Sequence, residues 1–256
     1  MNRWSPALLA GLMLAAAAQD AGAADGLPFT MKVDRLPNGL QVVTAHTDTP
    51  GIISYFTIVR TGSRDEVEKG RSGYAHFFEH MMFRGTKQWS SQAYSAKLQA
   101  HGADGNAYTT WDYTAYHVTA PKAALADVIT LESDRFRFLD YDEAAYRTEA
   151  GAVLGEYNLS FSDPGMKAWE VLGETAFTTH TYGHTTIGYG ADVKAMPEGF
   201  EYARAFFKRH YTPDNTTIIV AGDVEPAEVL AAITKAYGDW TGTHDAPVVP
   251  AEPEQT

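Results

Sequence analysis

The chain has 256 residues, 45% of them hydrophobic, and contains no cysteine. That length and composition supply a packed core and exclude a disordered chain, while the missing thiols exclude disulfides and limit any metal site to nitrogen and oxygen donors. A formal net charge of −12 argues against nucleic acid as a partner, because binding phosphate backbones requires a cationic face.

The chain opens with Arg3, the apolar run Ala7 to Ala18 and the small residues Ala21-Gly22-Ala23. This is the pattern of a cleaved secretory signal peptide over residues 1–23, and it predicts an exported protein, periplasmic or secreted. The run is shorter than the roughly 20 residues needed to span a bilayer, and no later segment is long and apolar enough to do so.

Asn38-Gly39 lies between two short apolar runs and predicts a hairpin. Ile52 to Arg60 reads as a strand, 72–84 as a helix with Ser72 as cap and Gly85 as its end, and Ser91 to Ala100 as a second helix. Strands follow at Asn106 to Trp111 and Tyr113 to Ala120. A long helical stretch, Ala123 to Ser160, is interrupted near Asp140-Tyr141-Asp142, where Asp142 can cap a new start. Gly165 to Thr178 predicts a helix, His180 to Asp192 a loop, Glu201 to Lys208 a helix, Thr216 to Ala221 a strand, and Pro226 to Tyr237 a last helix. Strands and helices mix without strict alternation, which predicts an α+β fold with a mostly antiparallel sheet packed against helices. The folded domain is expected over 24–240, followed by a Pro- and Glu-rich tail or linker over 241–256.

Residues 76–80 carry the chemistry. On a helix, His76 and His80 stand one turn apart with Glu79 on the same face, while Tyr74, Phe77, Phe78, Met81 and Met82 form the opposite, core-facing stripe. Two imidazoles at i and i+4 can hold one zinc ion, and the adjoining carboxylate can serve as its base; the order is the inverse of His-Glu-x-x-His. A third ligand must come from elsewhere. The candidates are His46, His101, His117, His180, His184, His210, His244 and many carboxylates, and spacing does not choose among them. Glu149 and Glu156 lie seven apart on one face of the expected 142–160 helix, as ligands or as solvated surface groups. Gly151 and Gly155 on the other face suggest close packing there.

Gly62-Ser63-Arg64-Asp65-Glu66 and Gly73 to Thr86 together resemble the signature of the pitrilysin/insulinase-type zinc metallopeptidases, which include mitochondrial processing peptidase. The resemblance continues through Asn106-Ala107-Tyr108-Thr109, Glu149 to Glu156, His180-Thr181-Tyr182-Gly183 and Tyr211 to Asn215, and so covers about 34–240. It implies a metallopeptidase domain of that type, one zinc per chain, and His76, His80 and Glu156 as ligands. It further implies Glu79 as general base and Glu149 as a glutamate that supports catalysis without being the principal ligand. Asn106 and Ala107 would receive an extended peptide as an added strand. His180 and His184 match no ligand position, and Thr181 stands where proline is usual. Such enzymes pair a metal-bearing half with a second, similarly folded half that supplies an arginine and a tyrosine. The implied partners are therefore a peptide or unfolded protein substrate and a homologous half, subunit or second copy. A weakly active peptide-binding subunit is the alternative, and a zinc-storage protein fits less well because the base stands beside the ligands.

Overall fold

The computed structural model describes residues 29–254, so the expected signal segment lies outside it. The first strand, β1 (Met31–Arg35), pairs antiparallel with β2 (Gln41–His46) through the hairpin expected at Asn38-Gly39. Gly39 takes φ +92°, a left-handed conformation that glycine adopts without the Cβ penalty, and the Leu36 N–H closes the turn on the Leu40 carbonyl at 2.8 Å. Asn38 then ties this turn to the far end of the chain, donating to the carbonyls of Tyr237 (2.8 Å) and Trp240 (3.0 Å).

The remaining strands are β3 (Ile52–Val59), β4 (Asp104–Thr109), β5 (Thr114–Pro121) and β6 (Thr216–Gly222). They join one six-stranded sheet in the order β1-β2-β6-β3-β5-β4. All neighbours are antiparallel except β2 and β6, which run parallel because the late strand β6 inserts between the early strands β2 and β3. Along β3, Ile53, Tyr55, Thr57 and Val59 are buried while the alternate residues are more open, and β6 repeats the pattern with Thr216, Ile218, Val220 and Gly222. The two-residue period makes one face of the sheet the core.

Helices cover that face. α1 (Tyr74–Met81) packs Tyr74, Phe77, Phe78 and Met81 inward, as the stripe predicts, and lies against β4 and β5. α2 (Ser91–Ala100) is capped by Ser90, whose Oγ accepts from the Ala93 N–H at 3.2 Å. The long helical stretch divides as expected into α3 (Leu125–Phe138) and α4 (Glu143–Ser160), the latter capped by Asp142 Oδ1 on the Ala145 N–H at 2.8 Å. α5 (Pro164–Ala176), α6 (Gly190–Ala195), α7 (Phe200–His210) and α8 (Pro226–Tyr237) complete the α-helices among the described residues. The expected 180–192 loop holds a short 3-10 turn at Thr181–Gly183 and the start of α6, a six-residue helix too short to show an amphipathic period.

Two local expectations are corrected. Ser72 does not cap α1: its hydroxyl donates to Asp192 at 2.7 Å, and the cap position is Gly73 at φ +92°, where a Cβ would stand 2.5 Å from the Ile187 carbonyl oxygen. Gly151 and Gly155 do not mark close packing, since both are exposed and a Cβ at either would meet open space. The tail carries no regular element through 254, yet it is fastened to the domain. Glu252 accepts bonds from the N–H groups of Thr178, Thr179 and His180 at 2.8–2.9 Å, and this holds its carboxyl down to about 2. No helix among the described residues is long and apolar enough to cross a membrane.

Candidate metal centre

α1 and α4 pack against one another. His76 and His80 on α1 and Glu156 on α4 each turn one donor atom to a common point, and the three atoms lie within 4.8 Å of one another. His80 Nε2 stands 3.2 Å from one Glu156 oxygen and His76 Nε2 stands 3.6 Å from the other. A tetrahedral ion with bonds of ~2.1 Å spaces its donors about 3.4 Å apart, and the 3.2 and 3.6 Å separations from the two imidazoles to the Glu156 carboxylate are of that size. Among the His, Asp and Glu of the described residues, this is the group close enough to hold one.

Electrostatics suits the same purpose. His76 is nearly buried under α4, and burial lowers its imidazole to about 4, against the opposing pull of Glu156, so it is a neutral donor near pH 7. His80 makes its other ring contact to Glu149, Nδ1 to Oε1 at 2.9 Å. That contact places the Nδ1 proton toward the buried carboxylate and leaves Nε2 as the lone-pair atom facing Glu156. Glu149 is in turn ion-paired to Arg84. It therefore sits behind His80 and outside the three-atom group. Proximity to His80, opposed by burial, holds Glu156 below its usual carboxylate range.

Glu79 also lies outside the group. Its carboxylate accepts the Thr109 hydroxyl at 2.6 Å, and burial raises it above the usual glutamate range, with that hydrogen bond opposing the shift. A carboxylate moved toward neutrality is suited to taking and returning a proton. Neither Thr109 nor Arg84 stood out in the sequence, although both lie within segments that carry the family resemblance, because neither residue type signals a role without its partner.

Asn106 and Ala107 lie on β4, the last strand of the sheet, whose outer edge is unpaired among the described residues. Asn106 Oδ1 accepts the N–H of Ala107 at 2.9 Å, so the two are engaged with one another and an added strand would displace that side chain. A cavity of about 310 Å³ runs from this edge to the site, lined by Glu79, His80, Phe83, Arg84, Ser91, Asn106 and Glu149. A larger apolar cavity of about 470 Å³, bounded by Trp111, Trp169, Phe177 and His184, contains no member of the metal group. The structure places His180 and His184 away from that group as well: His180 Nδ1 accepts the Tyr182 N–H at 3.0 Å, and His184 is buried beside Glu66.

Residues 41–190 match the model of Insulinase (Peptidase family M16). The chain belongs to this family. Residues 200–256 match the Peptidase M16 inactive domain of the same family. An uncharacterized zinc protease of Streptomyces coelicolor is 27% identical over 88% of this chain and 48% of its own length. The mitochondrial-processing peptidase subunit beta of Blastocladiella emersonii is 28% identical over 85% of this chain and 46% of its own. Among solved structures, a protease from Helicobacter pylori superposes with a TM-score of 0.81 at 26% identity, covering 88% of this chain and 54% of that one. The first half of the periplasmic protease PqqL from Escherichia coli gives 0.77 at 26%, covering 93% and 51%. The chain spans about half the length of the curated M16 relatives it matches.

Proposed function

We propose that this chain carries the catalytic metal centre of a zinc endopeptidase acting on extended peptides or unfolded protein segments. The observation that carries the reading is the convergence of His76, His80 and Glu156 on one point, with Glu79 beside them and free of the donor set. One zinc per chain would be held by those three residues, and when bound it supplies a Lewis acid that polarises the scissile carbonyl and acidifies water. Glu79 accepts the proton of the attacking water and hands it to the amine that leaves. Glu149 fixes the ring and tautomer of His80. Asn106 and Ala107 bind the substrate main chain at the open edge of β4, so that the cleaved bond is presented across the 310 Å³ cavity toward Glu79.

The substrate faces this centre from one side only, and the centre works with a second, similarly folded half, in the same polypeptide or in another. The first half of PqqL as a structural neighbour and the half-length coverage of the relatives support that reading. The metallopeptidase domain is assigned to 24–240 and a connecting segment to 241–256, in which Glu252 is bonded to the backbone of Thr178, Thr179 and His180. Export to the periplasm or beyond fits Arg3, Ala7 to Ala18 and the periplasmic relative.

The test is zinc content and cleavage of an internally quenched extended peptide, measured on the parent and on Glu79→Gln. Both should bind one zinc, and the variant should lose at least ~100-fold in rate, the scale of a general base. Parent-like turnover in a zinc-loaded Glu79→Gln would reject the assignment.

A further inference from the structure

The first turn of α1 has no side-chain cap of its own, since its cap position is a glycine. Its free N–H groups are taken by Glu66, eight residues before the helix starts: Oε2 accepts from Gly73 at 2.7 Å and Oε1 from Ala75 at 2.6 Å. His76 is the next residue. Glu66 has no exposed side-chain surface, and its only ion-pair contact among the described residues is His184 Nε2, 3.9 Å from Oε2. His184 is itself buried. Its Nδ1 lies 2.9 Å from the Thr185 carbonyl, which fixes the proton there and turns the Nε2 lone pair toward Glu66, where it has no other protein partner. The other charged and titratable groups that face Glu66 are Asp65, Asp192 and Tyr202, none of which offers a positive charge.

We propose that Glu66 is a positioning residue for the metal centre: backed by the His184 lone pair, its buried carboxyl grips the first turn of α1 and fixes where His76, and one turn later His80, present their nitrogens. The chemistry favours a carboxylic acid here. The two N–H donors favour the charged form, but full burial with no facing cation outweighs them, and Oε2 stands 3.9 Å from the His184 lone pair. Burial accordingly lifts Glu66 to about 8. A helix held at its N-terminus by two bonds of this kind has little freedom to rotate or fray, and a ligand at the third helical position inherits that rigidity. The link also ties α1 to the wall of the apolar cavity, because His184 lines it and its carbonyl accepts the Trp111 indole N–H at 3.2 Å.

This inference rests on the proposed metal centre, and titration with Co²⁺ separates the two. The d–d absorption band of Co²⁺ reports ligand number and geometry without reference to activity. The parent should bind one Co²⁺ with a tetrahedral band. Glu66→Gln, which puts an NH₂ against one of the two helix N–H groups, should weaken Co²⁺ about tenfold and alter the band while leaving far-ultraviolet circular dichroism unchanged. His184→Leu, which removes the imidazole behind Glu66 and leaves the Glu66 bonds to Gly73 and Ala75 in place, should weaken it in the same direction. The double variant should be no weaker than the poorer single one, because the two residues act as a unit. Should Glu66→Gln not yield folded protein, His184→Leu carries the test alone. Parent-like Co²⁺ affinity and spectrum in either folded variant, or additive losses in the double, would overturn the positioning role. Failure of the parent to bind Co²⁺ would instead overturn the metal centre.

Discussion

At the scale of single residues, the site works by burying groups that water would otherwise ionise or protonate. His76 is kept neutral by burial, Glu79 is raised by it, and Glu66 is raised furthest. The last has a measurable consequence for stability. With a folded value near 8 and an ordinary value of 4.5, the folded chain retains a proton that the unfolded chain has released anywhere between those limits. Stability from this group is therefore fully present below about pH 4.5 and is lost as pH rises toward 8. Buried neutral histidines such as His184 and His210 act in the opposite sense, gaining stability as pH rises through the ordinary histidine range, so the parent alone does not isolate the effect. Comparison with Glu66→Gln does. In metal-free protein, the melting temperature of the parent should fall relative to the variant between pH 5 and pH 8; a constant difference would show that Glu66 is ionised throughout. What the sequence made legible at this scale follows from distance along the chain. His76, Glu79 and His80 share one helical turn and need no tertiary information. Glu156 could be singled out only through the family resemblance, since its place depends on how α4 crosses α1. Glu66 lies in a segment that carries the resemblance, but its role was not legible because its partners, Gly73, Ala75 and His184, meet it only after the chain between them has folded.

Among elements, the proposed centre draws on α1 and β4: the helix carries His76, Glu79 and His80, and the strand has an outer edge unpaired among the described residues. The Ala107 N–H is bound to Asn106 Oδ1, which marks it as a donor available at that edge once the side chain moves. Ala107→Pro removes this donor at an edge position where proline is tolerated. Losing one main-chain bond to the peptide should raise KM roughly fivefold to tenfold, with little change in zinc content. Steady-state kinetics over a peptide concentration series checks this, and an unchanged KM would mean the substrate does not add to β4 there. Most helices and strands could be read from periodicity and caps, as with Asp142 at the start of α4. The order of the sheet could not. Nothing local to Thr216 to Gly222 indicates that it inserts between β2 and β3, a pairing across more than 150 residues. The glycines of α4 misled for a related reason. Gly151 and Gly155 suggested a packed seam, but the face that packs is set by Tyr146, Glu149, Ala150 and Val153, and the glycines look outward.

Across the whole molecule, one sheet and its helices bring together residues 80 positions apart, and both the open edge and the 310 Å³ cavity face away from the core. A second half closing over that side would exclude water and fix the peptide, strengthening both orientation and electrostatic stabilisation of the reaction. The proposed function requires that metal bind through His76, His80 and Glu156. X-ray absorption at the zinc edge, recorded on zinc-loaded parent and Glu156→Gln, measures this directly. The parent should show two imidazole nitrogens at ~2.0–2.1 Å with carboxylate oxygen at about 2.0–2.2 Å, and the variant should bind zinc far more weakly with the carboxylate contribution lost. An unchanged spectrum and undiminished affinity in Glu156→Gln, or a parent spectrum without two imidazoles, would contradict the centre built from His76, His80 and Glu156.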